Sequence, residues 1–129
     1  MVKRKNQAIW HPSFLKGSAL ELAGDIRGAV RAYRRAAKDG DSSSQNNLGN
    51  LLDDRAKPPG PKEAVYWYKR AVRAKNWAAA TNLSVHYKNL GQTRWQMHWL
   101  RVAAKLGDSD ASKELRKLER QLERIKRGR

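Results

Sequence analysis

The chain has 129 residues and a formal net charge of +16, with 28 Lys and Arg against 12 Asp and Glu. Its 40% apolar content and mean hydropathy of -0.88 suit a small helical domain with a large surface, and exclude a disordered chain. It has no cysteine, which excludes a disulfide framework, a thiolate nucleophile and a thiolate zinc site.

Helical periodicity and turn residues predict seven helices in chain order. Residues 1–11 are predicted to be a basic N-terminal arm, and residues 12–129 a single repeat domain. Pro12 suits the first turn of the first helix, Gly24 ends that helix, and Asp25 is the predicted N-cap of a second helix over 26–38. These two helices make the first predicted hairpin.

The next turn residues divide the remaining chain. Gly40 and Asp41 introduce a third helix that ends near Arg55, and the prolines and glycine of 57–61 separate it from a fourth over 62–75. Asn76 is the predicted cap of a fifth over 77–89, and a sixth follows over 93–106. A last helix over 109–126 has a single apolar stripe, so we predict that it caps the domain; the stripe is Leu115, Leu118, Leu122 and Ile125.

Three segments of the chain repeat at nearly constant spacing. Ala36, Ala71 and Ala103 lie at intervals of 35 and 32 residues. An aromatic or leucine residue precedes each of them by three positions: Tyr33, Tyr68 and Leu100. A period in this range indicates a helical solenoid, in which neighbouring hairpins must stack because one unit cannot bury its apolar face alone.

The repeated unit has the pattern A-x3-L-G-x2-Y, followed after a loop by A-x2-[WA]-Y-[KR]-x-A. This pattern resembles the Sel1-like repeat, a subtype of the tetratricopeptide class. The matching segments are Leu48-Gly49, Tyr87, Ala64, Trp67 to Ala71 and Ala103 to Asp108. The resemblance implies an all-α, right-handed solenoid of about three helix-turn-helix repeats plus the capping helix. It also implies that the first helix of each hairpin lines a concave face. The first unit departs from the pattern, since Lys16-Gly17 stands where Leu-Gly is expected.

The small and aromatic residues of the repeat are predicted to be structural. Alanines let helices approach closely, and the tyrosines fill the gap between hairpins; these alanines are Ala29, Ala36, Ala64, Ala71 and Ala103. Trp67 and Trp99 are predicted to bridge repeats. Because most tryptophans are thereby assigned to the core, the sequence predicts no aromatic platform for stacking bases.

Motifs for catalysis, metal binding and nucleotide binding are missing from the sequence. His11, His86 and His98 are far apart, and Asp53 and Asp54 point in directions about 100° apart on a helix. Asp108-Ser109-Asp110 begins like a calcium loop but lacks its later ligands, so it is read as a helix cap. We therefore expect no enzymatic activity, no metal and no cofactor.

The predicted partner-binding site is the concave face. Asparagines at equivalent places, Asn47 and Asn82, suit paired contacts with a peptide backbone. Only Lys88 is basic there, so a neutral or basic ligand fits better than an acidic tail. The candidate residues are Asn46, Asn47, Asn50, Asp53, Asp54, Thr81, Asn82, Val85, His86, Lys88 and Asn89.

The convex helices carry a second candidate surface, a comb of basic residues at equivalent positions. It comprises Arg34, Arg35, Lys38, Lys69, Arg70, Arg73, Arg101 and Lys105. The comb is either a solvated face, which we favour, or a track for RNA or DNA. The nucleic-acid alternative would also use basic residues near the termini: Lys3, Arg4, Lys5, Arg124, Lys126, Arg127 and Arg129.

The sequence therefore predicts a non-enzymatic protein-interaction module that binds through its concave groove, either as an adaptor or as an immunity-type protein that neutralises a toxin. The high positive charge predicts a protein partner that is acidic overall. Nucleic-acid binding ranks second. No run of about 18 apolar residues is present, so we expect a soluble, cytoplasmic protein without a membrane partner; the oligomeric state is left open.

Overall fold

The computed structural model describes residues 10–128, so most of the predicted basic arm, with Lys3, Arg4 and Lys5, lies outside the described residues, as does Arg129. Within residues 10–128 the structure is helical and has no strand. The helices are α1 (Pro12–Leu22), α2 (Ile26–Lys38), α3 (Ser42–Asn50), α4 (Pro61–Arg73), α5 (Trp77–Asn89), α6 (Thr93–Lys105) and α7 (Ser109–Arg127). Across the described range, no helix combines the length and the apolar content that crossing a bilayer requires.

Short polar side chains begin most of the helices, as predicted. Asp25 accepts a hydrogen bond from the backbone N–H of Gly28 at 2.9 Å, and the side chain of Asp41 caps α3 in the same way. Asn76 caps α5 and Asp108 caps α7. Each cap satisfies N–H groups that have no partner within their own helix, so local sequence determines where these four helices start.

The second helices of the hairpins end on a residue with positive φ. Gly40 and Gly107, which follow α2 and α6, have φ of 93° and 116°. Lys75 occupies the equivalent place after α4, with φ of 65°. Glycine adopts this conformation without steric cost, whereas lysine does not, so the middle repeat ends on a less favourable residue.

The helices pack in chain order into three hairpins, α1 with α2, α3 with α4 and α5 with α6, and α7 packs on α6. One hydrophobic core runs from α2 to α5, and a smaller one joins α5, α6 and α7. Val72 and Trp99 pack against both cores. The predicted α-solenoid of helical repeats is therefore confirmed, and the five alanines predicted at close approaches are fully buried.

A glycine in each of the first two hairpins faces the ring of the repeat tyrosine. A Cβ on Gly17 would lie 2.7 Å from Cδ1 of Tyr33, and a Cβ on Gly49 would lie 2.6 Å from Cε1 of Tyr68. Gly17 therefore plays the same part as Gly49. The first hairpin keeps the glycine contact of the repeat, although Lys16 replaces the leucine before it.

The prediction that most tryptophans lie in the core is wrong. Trp67 is buried and Trp99 is partly buried. The other three tryptophans are about half exposed: Trp10, Trp77 and Trp95. Trp95 follows Arg94 on α6, a helix with no acidic residue, so the repeat pattern accounts for Trp67 and Trp99 only.

The third predicted helix changes geometry before it ends. After Asn50 the chain continues as a π-helical turn, Leu51–Arg55, closed by a hydrogen bond of 2.7 Å from the N–H of Ala56 to the carbonyl of Leu51. Such turns insert one extra residue into a helix and often occur at functional sites. Here the turn carries Asp53 and Asp54 to the edge of the groove described next.

Candidate functional site

A groove of about 630 Å³ lies along the first helices of the three hairpins. Its walls come from α1, α3, the π-helical turn and α5, and α4 contributes Pro61 and Tyr68. Glu21, Asp53 and Asp54 give it three acidic side chains against one basic residue, Arg55. The lining residues are Glu21, Asn50, Leu51, Asp53, Asp54, Arg55, Pro61, Tyr68, Asn82, Val85, His86, Asn89 and Leu90.

The structure brings most of the predicted concave residues together in this groove. The ones that line it are Asn50, Asp53, Asp54, Asn82, Val85, His86 and Asn89. Thr81 and Lys88 line a smaller hollow of about 260 Å³ further along the same side, which also includes Val85. Asn46 and Asn47 belong to the lining of neither hollow.

Asn82 is held by a neighbouring helix. Its Nδ2 donates a hydrogen bond of 2.8 Å to Oδ1 of Asn46, so α5 and α3 are tied together at the side of the groove. The repeat spacing instead makes Asn82 the equivalent of Asn47. Because the Nδ2 of Asn82 is already bonded, its free hydrogen-bonding capacity for a peptide is smaller than the sequence suggests.

Asp53 and His86 are joined by hydrogen bonds across the groove wall. Nδ1 of His86 lies 2.9 Å from Oδ2 and 3.0 Å from Oδ1 of Asp53. Both side chains are largely shielded from solvent. The pair fixes the π-helical turn against α5, so these two residues shape the groove.

The hydroxyls of the repeat tyrosines reach the polar residues of the first helices. Tyr33 donates to Oε1 of Glu21 and Tyr68 donates to Oδ1 of Asn50, both at 2.8 Å. Burial, helped by the hydrogen bond to Glu21, raises the pKa of Tyr33 to about 12. Burial, with the nearby charges of Asp53 and Asp54, also raises the pKa of Tyr68. The sequence assigned Tyr68 to the core alone, and its role at the groove was missed.

A hydrogen bond between α5 and the residue that caps α7 lies at the smaller hollow. Oγ1 of Thr81 donates a hydrogen bond of 2.7 Å to Oδ2 of Asp108. The other carboxylate oxygen of Asp108 caps α7, which agrees with its predicted role as a cap. One carboxylate thus joins α5 to the capping helix.

Residues 10–128 contain no group of three His, Cys, Asp or Glu side chains that could hold a metal ion. The three histidines have separate surroundings: His11 contacts Asp39 at 2.9 Å, His86 contacts Asp53, and His98 packs edge-on against Trp95 and Trp99. Each of the three histidines therefore contacts other side chains of the fold.

The opposite side of the molecule is strongly basic. The outward faces of α2, α4 and α6, called the basic face below, belong to helices that together contain twelve Lys and Arg and a single acidic residue, Glu63. Six of the predicted comb residues are exposed: Arg35, Lys38, Lys69, Arg73, Arg101 and Lys105. Positive charge is therefore concentrated on the second helices, whereas the groove has more acidic than basic side chains.

The two remaining comb residues are partly buried and engaged with other side chains. Arg34 pairs with Glu63 through two hydrogen bonds, of 2.9 and 3.1 Å, and Glu63 also accepts from Nε1 of Trp67. Burial acts to raise the pKa of Glu63, but these hydrogen bonds and the charge of Arg34 outweigh it and lower the pKa. Arg70 lies over the rings of Tyr66 and Trp67. The comb residues therefore differ in exposure and in their contacts, although their spacing in the sequence is regular.

Comparison with known proteins finds a similar structure for this chain. No family model matches the chain, and no curated protein matches its sequence. Its structure is similar to the crystal structure of a protective antigen present in uropathogenic Escherichia coli strains, which displays an SLR (Sel1-like repeat) fold. The TM-score is 0.67 and the sequences are 27% identical over 80% of this chain. The chain spans 24% of the length of that protein.

The resemblance read from the repeat is therefore confirmed at the level of the fold. The chain is an α-solenoid with the Sel1-like repeat fold.

Proposed function

We propose that the chain is a non-enzymatic protein-interaction module whose groove receives an extended, neutral or basic segment of a partner protein. The single observation that carries this proposal is the groove itself. It is built from all three hairpins, and it holds three acidic side chains against one arginine in a molecule of net charge +16. Electrostatic complementarity selects partners by sign, so the groove favours a neutral or basic segment.

The exposed groove residues suit a peptide ligand. Val85 is 47% exposed and supplies an apolar contact, and Asn89 is exposed beside it. An asparagine side chain offers both a donor and an acceptor, as a peptide backbone does. The hydrogen-bonded contact of Asp53 with His86 holds the wall in place before binding, which lowers the ordering cost of association.

The charged basic face adds a long-range contribution. Twelve cationic side chains on three helices attract a partner that is acidic overall and raise the rate of encounter. The groove then supplies the specific contact. An adaptor that holds one partner in this way fits the geometry; the immunity-type role rests on small size and positive charge alone.

Selection from a random peptide library displayed on phage, followed by measurement of the dissociation constant of a selected peptide, tests the proposal. In Val85→Arg a long cation blocks the groove and repels basic peptides, so we expect affinity to fall at least about tenfold. Lys69→Gln on the basic face is the control and should change the affinity of this short peptide by less than about twofold. A selected peptide that binds Val85→Arg as tightly as the original chain would overturn the proposal.

A further inference from the structure

The basic face carries exposed aromatic side chains among its cations. Tyr66 on α4 is 52% exposed and Trp95 on α6 is 49% exposed. Val72 of α4 and Trp99 of α6 pack against the same cores, so these helices of successive hairpins share a core. Proteins that bind single-stranded nucleic acid combine cations that follow the phosphates with aromatic rings on which bases stack.

A hollow of about 460 Å³ places these features together. It is lined by Gly40, Gln45, Tyr66, Arg70, Arg73 and Ala74. Arg70 is positioned over the ring of Tyr66, with its guanidinium carbon 6.0 Å from the ring centre. The hollow therefore offers two cations and the exposed ring of Tyr66.

One residue of the hollow has unused hydrogen-bonding capacity. Gln45 is 3% exposed, and its Nε2 donates a hydrogen bond of 3.1 Å to the carbonyl of Ala37. Its Oε1 has no hydrogen-bond partner among residues 10–128. Buried acceptors are nearly always bonded, so the wall of the hollow contains an unsatisfied polar group.

We propose that the basic face binds single-stranded nucleic acid, with a base stacked on Tyr66 in this hollow and the phosphates held by Lys69, Arg70 and Arg73. Trp95, on α6 of the next hairpin, provides a second stacking position. A single strand is specified because a duplex keeps the faces of its bases covered. The surface is separate from the groove, so the proposal goes beyond the protein-binding function and does not depend on it.

Fluorescence anisotropy with a labelled single-stranded oligodeoxycytidine of about 12 nucleotides tests the stacking contribution. Tyr66→Ala should weaken binding about tenfold or more, whereas Tyr66→Phe, which keeps an aromatic ring, should stay within about twofold. Both variants alter a half-exposed side chain, and circular dichroism should show unchanged helix content. The groove variant Val85→Arg should bind the oligonucleotide no more weakly than the original chain.

Salt titration of the same complex tests the phosphate contacts. Replacing Lys69 and Arg73 together by Gln should reduce the slope of log affinity against log salt by about 1.4, since each lost contact with a single strand contributes about 0.7. Lys113→Gln with Lys117→Gln on α7 removes the same charge at exposed positions and should change the slope by less than half as much. The proposal is overturned if Tyr66→Ala binds as tightly as the original chain, if the α7 variant loses as much slope, or if a duplex of equal length binds as tightly.

Discussion

Gly49 lies directly against the aromatic ring of Tyr68, so closely that a Cβ on the glycine would be 2.6 Å from the ring carbon Cε1. The glycine is on α3 and the tyrosine on α4, so this contact sets how closely the two helices of the hairpin approach. Gly17 and Tyr33 repeat it in the first hairpin. In the third hairpin, Ser84 is at the position of the glycine and Leu100 is at the position of the tyrosine. The side chain of Leu100 is slimmer than the aromatic ring.

Gly49→Ala should destabilise the protein, although alanine is the better helix former. The added methyl group must displace the ring of Tyr68, which is buried and held by its hydrogen bond to Asn50. Overpacking of this kind costs about 1–3 kcal/mol, against a gain in helix propensity of about 1 kcal/mol. We therefore expect a net loss of up to about 2 kcal/mol in the free energy of unfolding, measured by urea denaturation.

The matched control is Gly49→Ala in a Tyr68→Leu background, since the third hairpin has leucine at this position, Leu100. With the ring removed, the added methyl group should cost less than about 0.5 kcal/mol or stabilise the helix. If Gly49→Ala costs as much in this background as in the original chain, the close contact with Tyr68 does not limit the hairpin.

Much of the fold could be predicted because local sequence determines it. The caps at Asp25 and Asn76 and the buried alanines follow from residue type and spacing, and each was found where predicted. Gly17 was misjudged because Lys16 breaks the Leu-Gly pair, whereas the physical requirement is only for a residue without a Cβ beneath Tyr33. Comparison with the Leu-Gly motif therefore did not predict the contact of Gly17 with Tyr33, which the structure shows.

The site was less predictable because its contacts join distant parts of the chain. Asp53 and His86 are 33 residues apart, and their contact depends on the π-helical turn. No residue pattern in the sequence predicted this turn. The bond between Asn46 and Asn82 likewise depends on how α3 and α5 pack. Exposure of Trp95 also could not be predicted, because tryptophan on a helix serves equally well in a core or on a surface.

Lys75→Gly should stabilise the protein. Lys75 has φ of 65° at the position where the other two hairpins have Gly40 and Gly107. A left-handed conformation costs a residue with a Cβ roughly 1–2 kcal/mol, and glycine also gains backbone freedom in the unfolded chain, which offsets part of this. We expect a gain of about 0.5–1 kcal/mol, measured by thermal and urea denaturation.

The control for this prediction is Lys75→Ala, which removes the charge and keeps the unfavourable φ. It should leave stability within about 0.5 kcal/mol of the original chain. Equal gains from alanine and glycine would mean that charge, rather than backbone conformation, is the source of the effect.

Tyr33 should make the fold sensitive to alkaline pH. Its pKa is raised to about 12 in the folded protein, above the ordinary tyrosine value of 10.0, so the folded state holds the phenol proton more tightly than the unfolded state. The resulting stabilisation is complete below about pH 10 and is lost as the pH rises towards about 12. We expect the free energy of unfolding to fall across this window.

Tyr33→Phe removes the titrating phenol and isolates its contribution. At neutral pH this variant should be less stable by about 1 kcal/mol, because the hydrogen bond to Glu21 is lost. Above about pH 10 its stability should decline less steeply than that of the original chain. Parallel declines for the two proteins would show that Tyr33 is not the group responsible.

The division of the molecule into an acidic groove and a basic face is most directly tested by nuclear magnetic resonance. The ¹⁵N-labelled chain would be titrated with a groove-binding peptide from the library selection, and the shifts of its backbone amides followed. We predict that the largest shifts occur at groove residues, namely Asn50, Asp53, Val85, His86 and Asn89, while Lys69, Arg73 and Arg101 stay nearly unchanged. Shifts concentrated on α2, α4 and α6, with the groove amides unmoved, would contradict the assignment of the groove as the protein-binding site.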